Sequence, residues 1–202
     1  MKHDAITSAI ARPFFKKHSA EAWDKGRLSD SDTRIIDSVR EGDTDAFGEL
    51  VRKYEDFVFT LILGLVRSED TAKDVAQEVF LRAYRGIRRF ELKSTFKTWL
   101  YRIAYNTAIS HLNREKAKIR IEKEQAVEPA FDTRGGQSLR LTLEKLIGLL
   151  KPDLKSVILL HYYDDLKYEK IAEVMGCPIG TVKIRLYRAK HELKKLWGKY
   201  AV

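Results

Sequence analysis

The chain has 202 residues, enough for one or two domains, and a formal net charge of +9, which favours a polyanionic partner. Its single cysteine, Cys177, excludes an internal disulfide and is typical of a protein in a reducing cytoplasm. Because no apolar run reaches the roughly 18 residues of a membrane-spanning helix, and the N-terminus lacks the apolar core of a signal peptide, we expect neither membrane insertion nor export.

The N-terminal segment, residues 1–33, has no sustained hydrophobic period. It mixes charged and small residues with the aromatic pair Phe14-Phe15. We predict a loosely ordered extension here, and the sequence leaves a short docking helix open as the alternative.

A helical domain is predicted over residues 34–115. Asp43 is a suitable N-cap for a long helix, and its apolar stripe begins at Phe47 and ends at Leu65. Ser68 is suited to cap a second helix, which reaches Ile87. The face of that second helix opposite its apolar stripe is either solvated or a partner surface, and it carries Asp70, Lys73, Asp74, Gln77, Glu78 and Arg82.

A break over Arg88–Thr95 precedes a third helix, which Ser94 can cap and which runs to about Arg114. The tyrosines of this helix, Tyr101 and Tyr105, have two interpretations. They either complete the core or lie with nearby basic residues and an amide on a surface for unpaired nucleic acid. On such surfaces aromatic rings stack on bases, cations bind phosphates and amides read base edges.

A linker is predicted over residues 116–137, where helical periodicity is lost and Pro129 and the pair Gly135-Gly136 follow a charged run. Apolar residues at helical spacing resume in the segment 138–202. Since strand-like alternation is lacking along the chain, the predicted fold class is all-α, with two helical domains joined by a flexible linker.

Two short helical patterns around a tight break organise the second domain. The first follows Tyr168 and is stopped by Gly176-Cys177-Pro178, because glycine accepts a left-handed cap and proline cannot continue a helix. The second begins near Ile179, and between Pro178 and Tyr200 it carries seven basic residues against one acid. This is the pattern of a helix-turn-helix whose second helix enters the DNA major groove, with a solvated basic face on an ordinary bundle helix as the alternative.

The same segments resemble a known protein family. Residues 74–80 (DVAQEVF) and 96–106 (FKTWLYRIAYN) are similar to the second conserved region of extracytoplasmic-function sigma factors. Residues 166–173 (LKYEKIAE) and 178–183 (PIGTVK) are similar to the fourth region. The resemblance implies an alternative sigma factor that binds core RNA polymerase and directs promoter-specific initiation in the cytoplasm. It implies no active site, cofactor or metal.

The resemblance also implies three binding surfaces and a regulator. The clamp coiled coil of the largest polymerase subunit would be bound by Asp74, Gln77, Glu78 and Arg82. The melted strand of the −10 element would be bound by Arg88, Ser94, Arg102, Tyr105 and Asn106, with Asn106 at the base-reading position of the family. The −35 duplex would be bound by Thr181, Lys183, Ile184, Arg185, Tyr187 and Arg188. An anti-sigma factor would be the regulatory partner.

The sequence departs from the family pattern at four positions. Ser110 replaces an acid or amide, Lys167 replaces the usual Ser or Thr cap, and His161 stands where a basic residue is common. Ile184 stands where a hydroxyl is common. An isoleucine can contact only a thymine methyl group or a sugar, so we expect a shifted −35 preference.

The alternative function is a stand-alone helix-turn-helix regulator, which would use only the second domain. The first domain is too elaborate for a simple ligand-binding or dimerisation module, which weighs against this alternative. An enzyme has little support, because the five histidines are scattered and the sequence has no metal-ligand spacing, phosphate-binding loop or nucleophile elbow.

Overall fold

A computed structural model describes residues 30–122, 139–163 and 165–200, and over those residues the chain is all-α. The eight α-helices described are α1 Asp30–Glu41, α2 Thr44–Val66, α3 Glu69–Gly86, α4 Phe96–Glu122, α5 Leu139–Leu149, α6 Pro152–Ile158, α7 Tyr168–Met175 and α8 Ile179–Tyr200. The predicted fold class is confirmed. Most of the predicted extension (1–33) and linker (116–137) lies outside the described residues. The predicted division of the chain at residues 33/34, 115/116 and 137/138 stays a prediction. Among the helices described, none has the length and apolarity that a membrane span requires.

Helices α2, α3 and α4 pack pairwise to form the first domain, and two of their predicted N-caps are confirmed. The Asp43 carboxylate accepts hydrogen bonds from two amides of the first turn of α2, at 3.0 and 3.1 Å. The Ser68 hydroxyl accepts one from the amide of Thr71 at 3.3 Å. The predicted cap Ser94 is wrong, because α4 begins one residue later and the Thr95 hydroxyl accepts from the amide of Thr98 at 3.2 Å.

Helix α1 is not predicted by the sequence patterns above, and a buried polar cluster anchors it to α2. Ile36 and Val39 pack into the core, and Asp32 is only 4 % exposed. The Asp32 carboxylate accepts a hydrogen bond from the Tyr54 hydroxyl at 2.6 Å and lies 2.5 Å from the Lys53 ammonium. Burial, followed by the hydrogen bond to Asp32, raises the pKa of Tyr54 far above its ordinary value.

Helix α4 extends beyond its predicted end near Arg114 and continues to Glu122. The residues after Arg114 are mostly Glu, Lys, Arg and Ala, which are strong helix formers even without an apolar stripe. Loss of hydrophobic periodicity after Arg114 is therefore not a signal for the end of this helix.

The second domain contains the predicted helix-turn-helix. Gly176 ends α7 in the left-handed conformation, with φ of 62°, and its amide donates to the Ala172 carbonyl. Pro178 then precedes α8, which begins at Ile179. Upstream, Pro152 occupies the first turn of α6, where a proline needs no amide, and α6 continues as a π-helical turn over Leu159–Tyr163.

The two domains pack directly against each other. Helix α4 contacts α7, and α2 contacts both α6 and the π-helical turn. Their buried apolar residues form one continuous cluster that includes side chains from both domains. The prediction of two helical domains holds, and the structure adds an interface between them that sequence patterns do not predict.

Candidate nucleic-acid interface

Helix α8 has one buried side and one exposed side, as a recognition helix requires. The buried residues are Val182, Leu186, Ala189 and Leu193. The exposed side carries Lys183, Ile184, Tyr187 and Arg188. Ile184 is 53 % exposed and Tyr187 is 72 % exposed, so two large apolar side chains lie in solvent between two cations. Such a surface can contact bases through its centre and phosphates through its edges.

Two other predicted −35 contacts are placed differently. Arg185 is half-buried and turns back towards α6, with its Nε 3.4 Å from an Asp153 carboxylate oxygen. Its Nη1 also donates to the Cys177 sulfur at 3.7 Å. Thr181 is half-buried in the first turn of α8, where its amide donates to the Pro178 carbonyl at 2.9 Å. Arg185 is therefore positioned by its own domain, and Asp153 is a partner that the sequence analysis missed.

Two of the positions that depart from the family pattern, Lys167 and His161, lie next to α7, and only His161 makes a side-chain contact that holds the local structure. Lys167 occupies the N-cap position of α7, and its side chain makes no capping hydrogen bond. His161 closes the preceding turn, because its Nδ1 lies 3.1 Å from the Leu166 carbonyl oxygen and its ring packs 5.1 Å from that of Tyr168.

Of the α4 residues that were predicted to contact the −10 element, some are exposed to solvent and others are buried. Arg102 and Asn106, four residues apart, are exposed on one face, and Ser110 is exposed one turn further. Tyr101 is 1 % exposed and Tyr105 is 9 % exposed. In this packing both tyrosines belong to the interior, although the sequence left a nucleic-acid surface open for them.

The loop before α4 is held by aromatic packing. Phe90 is buried, and its ring lies 4.9 Å from that of Trp99 and 6.0 Å from that of Phe96. Arg88 is exposed at the start of this loop and Ser94 is half-buried at its end. The base of the loop is therefore packed against α4, the same helix that carries Arg102 and Asn106.

The predicted polymerase-binding residues lie along one face of α3. Asp74, Gln77 and Arg82 are exposed, and Arg82 donates to the half-buried Glu78 with its Nε at 2.9 Å. Leu81 follows Gln77 by one helical turn and is 49 % exposed. Leu81 is not among the residues predicted from the sequence to lie on this face, although its position four residues after Gln77 was the available signal.

An open groove of about 720 Å³ lies where α4 meets the helix-turn-helix. It is lined by Arg102 from α4 and, from the second domain, by Glu169, Ala172, Glu173, Gly176, Cys177, Pro178 and Ile179. Within the part of the chain that the structure describes, no cluster of His, Cys, Asp and Glu is arranged to hold a metal ion.

Comparison with known families matches both domains. Residues 50–118 match the model described as Sigma-70 region 2, and residues 140–193 match the one described as Sigma-70, region 4. The RNA polymerase sigma-H factor of Pseudomonas aeruginosa is 35 % identical over 181 residues, covering 82 % of this chain and 93 % of that protein. The chain belongs to the extracytoplasmic-function family of RNA polymerase sigma factors. The ECF RNA polymerase sigma-E factor of Escherichia coli K12 is 36 % identical over 177 residues, or 81 % of this chain and 92 % of that protein.

Solved structures show the same sigma-factor fold. The sigma factor RpoE of Bartonella quintana, solved with the anti-sigma factor NepR, has a TM-score of 0.62 and 24 % identity, covering 75 % of this chain and 96 % of that one. CnrH, solved with the cytosolic domain of CnrY, has a TM-score of 0.62 and 23 % identity, covering 84 % of this chain and 99 % of that one.

Family membership confirms the predicted function, an alternative sigma factor that directs transcription. It also decides against a stand-alone regulator, because such a protein would not account for the region 2 match over residues 50–118. Below, region 2 means helices α1–α4 and region 4 means helices α5–α8.

Proposed function

We propose that region 4 reads the −35 element as duplex DNA through the exposed side of α8. The exposed cations Lys183 and Arg188 are suited to phosphates or to guanine, and Arg185 is suited to a supporting role beside them. Ile184 and Tyr187 would meet base edges in the major groove. The observation that carries this proposal is the exposure of both apolar side chains on an otherwise basic helix face.

Region 2 is proposed to bind the −10 element after its strands separate. The exposed pair Arg102 and Asn106 supports this role, because an arginine can hold the backbone while an amide reads a base edge. Arg88 and Ser94 flank the loop whose base packs on the same helix, and an extruded base is proposed to bind in a pocket between this loop and α4. Extrusion of a base costs a few kcal/mol of lost stacking, which hydrogen bonds in such a pocket would offset.

The exposed face of α3 is proposed to bind the clamp coiled coil of core RNA polymerase. Asp74 and Gln77 supply polar contacts, and the ion pair between Glu78 and Arg82 fixes the orientation of two further polar groups. Leu81 gives this polar face an apolar centre, which is the usual composition of a protein interface.

The proposed partners are therefore core polymerase, promoter DNA and an anti-sigma factor, and the proposed place of action is the cytoplasm. The anti-sigma factor is proposed from family resemblance, and the similar structure of the sigma factor RpoE was solved with such a partner. We propose no catalytic step for the chain itself, because nucleotide addition belongs to the polymerase.

Run-off transcription with sigma-free core polymerase on a promoter library tests this function. We expect promoter-specific transcripts whose yield falls when Arg188→Ala is introduced, because the loss of one such contact costs about 1–3 kcal/mol. The matched control is Arg34→Ala, which removes the same charge from an exposed position on α1. Failure of the wild-type chain to confer specific initiation, or equal loss in both variants, would overturn the proposal.

A further inference from the structure

Arg40, in the last turn of α1, reaches the loop that precedes α4 (residues 88–95). Its Nη2 donates a hydrogen bond to the backbone carbonyl of Phe90, which lies 50 residues further along the chain. Its Nη1 lies 3.3 Å from a carboxylate oxygen of Asp37 on the same helix. Helix α1 also contacts the 3-10 helical turn Ile87–Arg89, with which the loop begins. The first helix of region 2 therefore holds the backbone of a loop that is proposed to bind the −10 element.

Phe90 is held through its side chain as well as its backbone. The residue is 4 % exposed, and its ring packs on the rings of Phe96 and Trp99 of α4. Arg40 thus holds the carbonyl of Phe90 while α4 holds its ring. The start of the loop is attached to two helices, α1 and α4, that are distant from each other in sequence.

The middle of the loop bends at Leu92. Its φ of 56° lies in the left-handed region, which a leucine rarely adopts because its Cβ crowds the following carbonyl oxygen. A residue stays in such a conformation only where surrounding contacts hold it. Leu92 is half-buried against the core, whereas Glu91 and Lys93 on either side are exposed and form an ion pair. The loop therefore presents polar groups to solvent from a shape that its attachments must maintain.

The chemistry of Arg40 suits a positioning role better than a packing role. Its side chain is 28 % exposed, yet its Nε is buried and has no hydrogen-bond partner within the part of the chain that the structure describes. A buried donor without a partner destabilises a fold, so an apolar residue would serve packing better. An arginine instead offers several donors on a rigid planar group, which can bind a distant carbonyl in a fixed direction.

We propose that Arg40 is a positioning residue for −10 recognition, which holds the loop over residues 88–95 in the shape that binds an extruded base. In this role Arg40 acts through the Phe90 carbonyl rather than by contacting DNA. When that hydrogen bond is lost, the exposed groups of the loop no longer meet the base in one geometry, so discrimination between bases falls. The inference rests on the proposed binding of the −10 element by region 2.

Four variants of the full chain test this role. Arg40→Met keeps a long apolar stem and removes the donors, whereas Arg40→Lys keeps the charge and a donor with a different reach. Arg34→Met is the matched control, because it makes the same exchange at an exposed position of the same helix. Asp37→Asn is the second control, because it removes the ion pair of Arg40 and leaves its bond to Phe90.

Two quantities are measured for each variant. Hydrogen exchange of the free chain, followed by mass spectrometry, reports the opening of the loop. Run-off transcription with core polymerase, on libraries randomised in the −10 or in the −35 element, gives the discrimination between bases at each position. For Arg40→Met we expect exchange in the loop about fivefold faster and −10 discrimination about fivefold lower, as the loss of one hydrogen bond would give, with −35 discrimination unchanged. Arg40→Lys should fall between Arg40→Met and the wild type, and both controls should match the wild type.

Wild-type values in every Arg40 variant that folds would overturn the role of Arg40. Faster exchange with unchanged −10 discrimination, or equal losses at the −10 and −35 elements, would overturn it as well. Lower −10 discrimination with unchanged exchange would also do so, because Arg40 would then act on the DNA itself. If the exchange results are as expected but the wild type gives no promoter-specific transcript, the proposed function has failed instead.

Discussion

The Lys155 ammonium is a buried charge at the interface between the two regions, and we predict that its removal stabilises the packed chain. Its side chain is 4 % exposed and its hydrogen-bond acceptor is the Leu65 carbonyl. Burial, with the positive charges of Arg67 and Lys116, lowers the pKa of Lys155 from 10.5 to about 8. The substitution Lys155→Met keeps a long apolar stem and removes the charge.

The magnitude follows from proton linkage. A pKa that falls from 10.5 to about 8 on folding corresponds to about 3 kcal/mol, since one pKa unit is about 1.4 kcal/mol. Between these two values the unfolded chain binds more protons at Lys155 than the folded chain, so the contribution of this lysine to stability rises with pH. The free-energy cost of burying the Lys155 charge is therefore full below pH 8 and absent above pH 10.5. Methionine has no such dependence.

The measurement is urea unfolding of the wild type and Lys155→Met at pH 7 and at pH 10.5. We expect the difference in unfolding free energy to favour the variant by about 3 kcal/mol more at pH 7 than at pH 10.5. The matched control is Lys167→Met, which changes an exposed lysine of the same region. A difference that is equal at the two pH values would refute the argument that the Lys155 charge is buried at a cost.

Three predictions concern DNA. Replacing thymine by deoxyuridine in the −35 element should weaken wild-type binding by about 0.8 kcal/mol, the value of one buried methyl group, and leave Ile184→Ala unaffected; equal losses in both proteins would exclude Ile184 as the methyl contact. Arg188→Ala should lower the slope of log affinity against log salt by about one unit, and an unchanged slope would mean that no phosphate is bound there. Asn106→Ala should spare −35 binding and impair strand opening, so normal permanganate reactivity of the bubble would remove Asn106 from the base pocket.

Local chemistry explains what could be predicted from the sequence. The caps at Asp43 and Ser68 depend on a side chain and amides two or three residues away. The left-handed end of α7 depends on Gly176 alone, because glycine has no Cβ to oppose that conformation. The helix-turn-helix and the exposed side of α8 follow from these signals together with apolar spacing.

What could not be predicted depends on contacts distant in sequence. Whether Tyr101 and Tyr105 face solvent or core is undecidable from α4 alone, because helices from elsewhere in the chain cover them. From the sequence, Arg185 is one more cation on a basic helix. Only the structure shows that Asp153 of α6 lies beside it. The burial of Lys155 likewise becomes visible only when region 2 packs against α6.

The buried carboxylate of Asp32 determines where the chain can be shortened. A truncation at residue 33, suggested by the predicted extension, would delete Asp32 together with the first turn of α1. The Tyr54 hydroxyl and Lys53 would then lose a shared acceptor inside the bundle. Expression fragments of the first region should therefore begin upstream of Asp30, and shorter ones are expected to unfold at lower temperature.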